Sequence, residues 1–191
     1  MTAALNLPDK QEWTVDDLAS LPGDLRYELV DGRLILPSPT AIHQDIALEV
    51  LLALRAQCPP GLLVVYDLSL EVGSRNEPRP DVVVIRPDHA DVTPLPVQDA
   101  VLAVEVVSTW SLIRDMYAKA TVYAGAGVGS YWVIQPTADA TVLTEFRPGD
   151  NGAYDIFRST DKIFTTDLPY PVTIDLPGLT ARRKAILEQS R

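Results

Sequence analysis

The apolar positions of this chain fall into short runs of two kinds. Residues 82–85 and 101–107 are almost continuously aliphatic, the pattern of strands covered on both faces. Residues 41–57 instead place Ile46, Ala47, Val50 and Leu54 at helical spacing, with His43 on the same face. A second helix is predicted over residues 111–124, where Leu112, Asp115, Lys119, Val122 and Tyr123 fall along one stripe. Residues 27–36 read as a hairpin that turns at Asp31-Gly32, and residues 62–72 as one long strand. Tyr131-Trp132-Val133-Ile134 forms a further strand, core or dimer surface by its aromatic character. Residues 141–146 and 154–157 form a hairpin around Pro148-Gly149-Asp150-Asn151-Gly152. Thr14 can cap a short helix before Pro22-Gly23. Two extended pieces near Ile163 and Val172 precede a basic helix from about Thr180.

Strands interrupted by helices, with both buried parallel-type runs and hairpins, predict an α/β domain with a mixed β-sheet flanked by helices. The length of 191 residues and the 47% hydrophobic content fit one domain with a sizeable core, expected over residues 13–191 behind a loose arm at 1–12. Gly125-Ala126-Gly127-Val128-Gly129 follows a helix and precedes a strand, the reverse of the dinucleotide-binding order, and reads as a helix stop.

Composition narrows the function classes. A net charge of −10 argues against broad non-specific binding of a polyanion, although a local basic groove or a metal site could sit within it. The single Cys58 excludes an intrachain disulfide and a cysteine-based zinc site. No stretch approaches the length of a membrane span and no secretory leader precedes the first helix, so a cytoplasmic location is expected.

The chemistry begins with Glu105, a carboxylate in the middle of an apolar strand. Burying it unpaired is costly, so it must be neutralised, paired or metal-bound. A core glutamate satisfied by Lys or Arg is one reading and a functional carboxylate the other. Asp81, after Pro80, opens the other buried strand and offers a second acid. Two carboxylates on neighbouring strands would make an oxygen-rich pocket for a hard divalent cation such as Mg²⁺ or Mn²⁺, with Lys119 a cation beside it. Asp115 and Lys119 at i, i+4 can equally form a surface ion pair. His43 can be a core histidine, and Glu28 a surface partner of Arg26 or Arg33.

Taken in order, Tyr27-Glu28-Leu29-Val30-Asp31-Gly32, Ser38-Pro39, His43-Gln44, Pro80-Asp81, Glu105-Val106-Val107-Ser108, Asp115 with Lys119, Tyr123, Gly127-Val128 and Tyr131-Trp132-Val133 resemble the Uma-type family of restriction-endonuclease-like proteins, within the PD-(D/E)XK nuclease superfamily. The resemblance runs from about Tyr27 to Pro136. It implies Asp81 and Glu105 as metal ligands, the carbonyl of Val106 as a third, and Lys119 in place of the lysine that commonly stands two residues after the glutamate, where this chain has Val107. It makes Glu28 and His43 flanking members of the site, Mg²⁺ or Mn²⁺ the cofactor and DNA the substrate. Two departures stand out: Ser108-Thr109-Trp110-Ser111 replaces a Ser-Pro-Ser-Thr run, and Gln135 replaces an aspartate. Two functions follow as expectations. One is a Mg²⁺-dependent endonuclease acting by metal-activated water. The other is a non-cleaving module that binds nucleic acid or protein, keeps the nuclease fold and forms a homodimer.

Overall fold

A computed structural model of the chain describes residues 10–23, 25–107 and 114–189, with the backbone alone at 114–116. In chain order the elements are the short helix α1 (Val15–Leu18), the hairpin β1 (Glu28–Val30) and β2 (Arg33–Ile35), helix α2 (Ala41–Gln57), β3 (Leu63–Tyr66), β4 (Leu70–Glu71), β5 (Val82–Ile85), β6 (Leu95–Pro96) and β7 (Ala100–Val106). A π-helical segment, Arg114–Lys119, runs into α3 (Ala120–Gly125); β8 (Tyr131–Pro136), β9 (Thr141–Pro148), β10 (Tyr154–Thr160), β11 (Ile163–Thr166), β12 (Val172–Asp175) and α4 (Leu176–Gln189) complete the chain.

Six strands form the central sheet in the order β10-β9-β8-β7-β5-β3. β7 and β8 run parallel and the other neighbours antiparallel, so the sheet is mixed. Its central strands are aliphatic because both faces are covered. Leu102, Val104 and Val106 of β7 pack with Ile46, Val50 and Leu54 of α2, with Leu176 and Leu179 of α4 and with Phe164 of β11. Ala103 and Val107, on the alternate positions, pack with Ala120 and Tyr123 of α3. Each fully buried Leu or Val contributes about 1.5–3 kcal/mol relative to an exposed one. The α/β sheet flanked by helices that the sequence predicts is the observed architecture.

The hairpin at Asp31-Gly32 and helix Ala41–Gln57 lie where the pattern places them. Gly32 has φ +73°, and Asp31 φ +48°, the left-handed pair that a two-residue hairpin turn requires. Other elements differ. Residues 62–72 do not form one strand: β3 pairs with β5, whereas β4 pairs with β6 in a separate two-stranded sheet. The break is at Asp67, whose φ of +53° cannot continue a strand. The last helix starts at Leu176, not near Thr180, because Pro177 is tolerated in a first turn and the Asp175 carboxylate accepts from the N–H of Gly178 at 2.9 Å. The β9–β10 hairpin is longer than expected at both strands. Tyr131 and Trp132 are wholly buried, which makes that run core and excludes the dimer-surface reading. Residues 1–9 of the expected arm, the Ser108 to Ser111 loop and the start of the second predicted helix lie outside the described residues. Among the described residues no helix is long and apolar enough to cross a membrane.

Candidate active site

Alternation along β7 sends Glu105 to the face covered by α3, the face shared by Ala103 and Val107. There it is 4% exposed, so its charge has to be met within the protein. Lys119 meets it. The Lys119 ammonium lies 2.7 Å from Glu105 Oε1 and 2.5 Å from Glu28 Oε2, and the lysine is 1% exposed. One turn further on, the Tyr123 hydroxyl donates to the same Glu105 oxygen at 3.1 Å. Lys119 closes the π-helical segment that leads into α3, and such wide turns are frequent at functional sites because they shift the side chains that follow. Val107 sits two residues after Glu105 and therefore on the same face, packed in the apolar cluster beside Tyr123. Lys119, delivered from the helix over that face, reaches the carboxylate of Glu105 on the side of β7 that Val107 shares.

Glu28 comes from β1. It is buried and also accepts from the backbone N–H of Arg79 at 3.4 Å. It is not the surface partner of Arg26 or Arg33 that a hairpin position allows. Burial first, and then the negative Glu105 and Glu28 carboxylates, push the Tyr123 hydroxyl well above its ordinary range. Tyr123 therefore keeps its proton and stays a donor.

Asp81 stands immediately before β5. The pairing of Val82 with Val104 brings it alongside the Glu105-Val106 end of β7. Its Oδ2 accepts from the Val106 N–H at 2.7 Å and lies 3.2 Å from His43 Nε2. His43 belongs to the first turn of α2, where its backbone N–H donates to the Thr40 side chain at 3.2 Å. The contact between Val106 and Asp81 thus runs through the Val106 amide.

The structure brings the predicted residues together in two linked groups. Glu28, Lys119 and Glu105 form a buried ion-paired triad, and Asp81 with His43 forms a half-buried pair tied to Val106, the residue after Glu105. The side chain of Asp115 lies outside the described residues. A concave space of about 250 Å³ opens beside the second group, lined by Arg26, Gln44, Tyr66 and Asp67 together with His43 and Asp81. Asp67 is an anchor that pattern reading misses. Its carboxylate pairs with Arg26, Arg79 Nη1 donates to its carbonyl at 3.1 Å, and its own N–H donates to the Asp81 carbonyl at 3.1 Å. The proximity of Arg79 to Pro80-Asp81 in the chain is the one sequence signal for this network; nothing in the sequence announces the left-handed backbone at Asp67.

Among the described residues, three carboxylates face one lysine and one histidine in these groups, and Arg26 and Arg79 are both engaged by Asp67. The cluster therefore keeps negative formal charge, the condition that attracts a divalent cation. Among the described residues no three His, Cys, Asp or Glu side chains gather to hold an ion. A cation at this end of the sheet would thus draw on few protein oxygens and complete its shell with water. The donors on offer are carboxylate oxygens, the hard ligands that a Mg²⁺ or Mn²⁺ ion would take.

Comparison with known proteins places this geometry in context. A family model described as "Uma2: Putative restriction endonuclease" matches residues 15–173, a span that contains Glu28, His43, Asp81, Glu105 and Lys119. No curated protein matches the chain. Among solved structures, a crystal structure of a protein from Anabaena variabilis, described as a "putative nuclease belonging to DUF820", is similar in fold. Its TM-score is 0.70 at 16% identity, over 89% of this chain and 98% of that one.

Proposed function

Because the chain belongs to the Uma2 restriction-endonuclease family, we propose that it is a metal-dependent nuclease that hydrolyses phosphodiester bonds of DNA. The observation that supports this reading most is the Lys119 ammonium at 2.7 Å from the Glu105 carboxylate, at the end of the sheet where Asp81 meets the same strand. Asp81, Glu105 and the carbonyl of Val106 would hold Mg²⁺ or Mn²⁺, which when bound activates a water and stabilises charge on the phosphate.

The remaining roles belong to the chain's own groups. Lys119 holds Glu105 in place and presents a fixed positive charge where a phosphate would gather negative charge, the kind of preorganised stabilisation that needs no rearrangement during reaction. Tyr123 fixes the second contact of Glu105 Oε1 and stays protonated. His43 orients Asp81 through its Nε2 contact and stands at the mouth of the pocket, within reach of a water or a phosphate oxygen entering there. Glu28 balances Lys119 from the other side and keeps the ammonium from leaving the cluster.

Nicking of supercoiled plasmid with Mg²⁺ or Mn²⁺ tests this reading. The wild-type chain should convert plasmid to open circles and an Asp81→Ala chain should not; equal background from both would overturn it. A second reading, a non-cleaving binding module, is favoured by one observation. Lys119 neutralises part of the charge of Glu28 and Glu105 without any metal ion. Calorimetric titration separates the two, since a purely structural triad takes up neither Mg²⁺ nor Mn²⁺.

A further inference from the structure

The concave space beside Asp81 differs in chemistry from the carboxylate cluster it adjoins. One wall is apolar, built by Pro39, Ala47, Leu48 and Leu51. The rim carries Gln44, Arg26 and the ring of Tyr66. Tyr66 is 72% exposed although it closes a strand of the central sheet. It is exposed because β3 is the edge strand and ends there.

Its position is fixed by the backbone that follows. A non-glycine residue with left-handed φ is uncommon and worth explaining. Asp67 holds that conformation while its N–H donates to the Asp81 carbonyl and its carboxylate holds Arg26. The bend ties the backbone that follows Tyr66 to the backbone of Asp81, so the two residues stand side by side at this end of the sheet.

Size and charge restrict what can enter. The space of about 250 Å³ is below the ~300–1,000 Å³ of pockets that take a drug-sized ligand. It admits a flat ring, not a duplex. Among the described residues the cations around the site are engaged, Arg26 and Arg79 by Asp67 and Lys119 by Glu28 and Glu105. The chain as a whole carries −10. Tracking a duplex draws on many lysines and arginines against phosphates. Stacking an unpaired base on an aromatic ring draws on none.

We propose that this pocket is a nucleobase subsite. An unpaired base stacks on Tyr66, turns its polar edge to Gln44, and sets the neighbouring phosphodiester at Asp81. The proposal rests on the nuclease reading above and narrows its substrate to single-stranded nucleic acid or unpaired ends.

Fluorescence anisotropy of the full chain with calcium in place of magnesium tests it. The probes are a labelled DNA strand of about 12 nucleotides, within the site sizes of single-strand grooves, the same sequence as a blunt duplex, and the RNA strand of that sequence. The single strand should bind at least about tenfold tighter than the duplex. Tyr66→Ala should weaken single-strand binding by roughly 5- to 100-fold, the loss that removing one base–aromatic stack produces, and Tyr66→Phe should restore it. Tighter binding of the RNA strand, with the same Tyr66 dependence, supports the subsite and assigns it to RNA. Duplex binding as tight as single-strand binding overturns the proposal, as does a Tyr66→Ala chain, folded by circular dichroism, within twofold of wild type. The two readings fail separately. Absent Mg²⁺-dependent cleavage of both the plasmid and the labelled single strand, with Tyr66-dependent single-strand binding, sinks hydrolysis and keeps the subsite; Mg²⁺-dependent cleavage with no effect of Tyr66→Ala on binding does the reverse.

Discussion

Lys119 is the residue whose loss the protein should feel most. It is the ammonium shared by two buried carboxylates, and removing one partner of a buried ion pair leaves uncompensated charge behind. Lys119→Met keeps the length of the side chain and deletes the charge. It should destabilise the fold by about 3–5 kcal/mol in urea denaturation and abolish plasmid nicking. Tyr123→Phe should cost less, about 1.5–3 kcal/mol, because one hydrogen bond to a charged acceptor is lost while Lys119 still compensates Glu105. A Tyr123→Phe chain as unstable as the Lys119→Met chain would show that the hydroxyl, not the ammonium, holds Glu105. At this scale the sequence made much of the site legible. A carboxylate inside an aliphatic run is an anomaly that demands compensation, and Glu105 displays it. Which cation compensates was open, since Lys119 could equally have paired on the surface with Asp115.

At the scale of elements, two local devices carry their own tests. Helix α1 is opened by a cap in which the Asp17 carboxylate accepts from the Thr14 N–H at 2.8 Å and the Thr14 hydroxyl at 2.7 Å, and also pairs with Lys10. Lys10 and then Thr14 hold the Asp17 carboxyl down at about 2. A lowered folded pKa contributes stability above the unfolded value near 3.8 and loses it as pH falls towards about 2. A carbon-detected NMR titration should place the Asp17 midpoint near 2, and a midpoint near 4 would mean the cap is not formed. The hairpin turn supplies the second test. Gly32 has φ +73°, and a Cβ there would meet Arg75 Nη2 at 2.7 Å. Gly32→Ala should therefore cost about 1–2 kcal/mol through the left-handed backbone, read as a lower thermal midpoint. Hairpin and helix α2 were legible because Asp-Gly turns and 3.6-residue periodicity are local signals. The break at Asp67 was not, since its left-handed backbone is held by Arg26, Arg79 and the Asp81 carbonyl, contacts from distant parts of the chain.

For the whole molecule, charge and burial set the response to solution conditions. Burial pushes the hydroxyls of Tyr123, Tyr154 and Tyr170 above their ordinary value of 10. A raised folded pKa contributes stability below the unfolded value and loses it as pH rises, so stability should fall once pH passes about 10. Tyrosine absorbance near 295 nm followed with circular dichroism checks this; ionisation of all seven tyrosines before any loss of structure would contradict it. The net charge of −10 argues that few phosphates are neutralised on binding. The salt dependence of single-strand binding should be shallow, with a log–log slope of about −1 to −2 in place of the steep slopes of basic grooves.

The sequence by itself determined the fold class, the two buried strands, helix α2, the hairpin, and Asp81, Glu105 and Lys119 as the residues of interest. Each rests on a period, a turn dipeptide or a charge out of place, all readable along the chain. Only the tertiary structure decided that Lys119 reaches Glu105 and Glu28, that the Val106 amide meets Asp81, and that Asp67 bends the chain after Tyr66 and ties it to the Asp81 carbonyl. These depend on which strands are neighbours and on where a helix crosses the sheet. Residues 14 to 91 positions apart in the chain meet there through packing that no local pattern encodes.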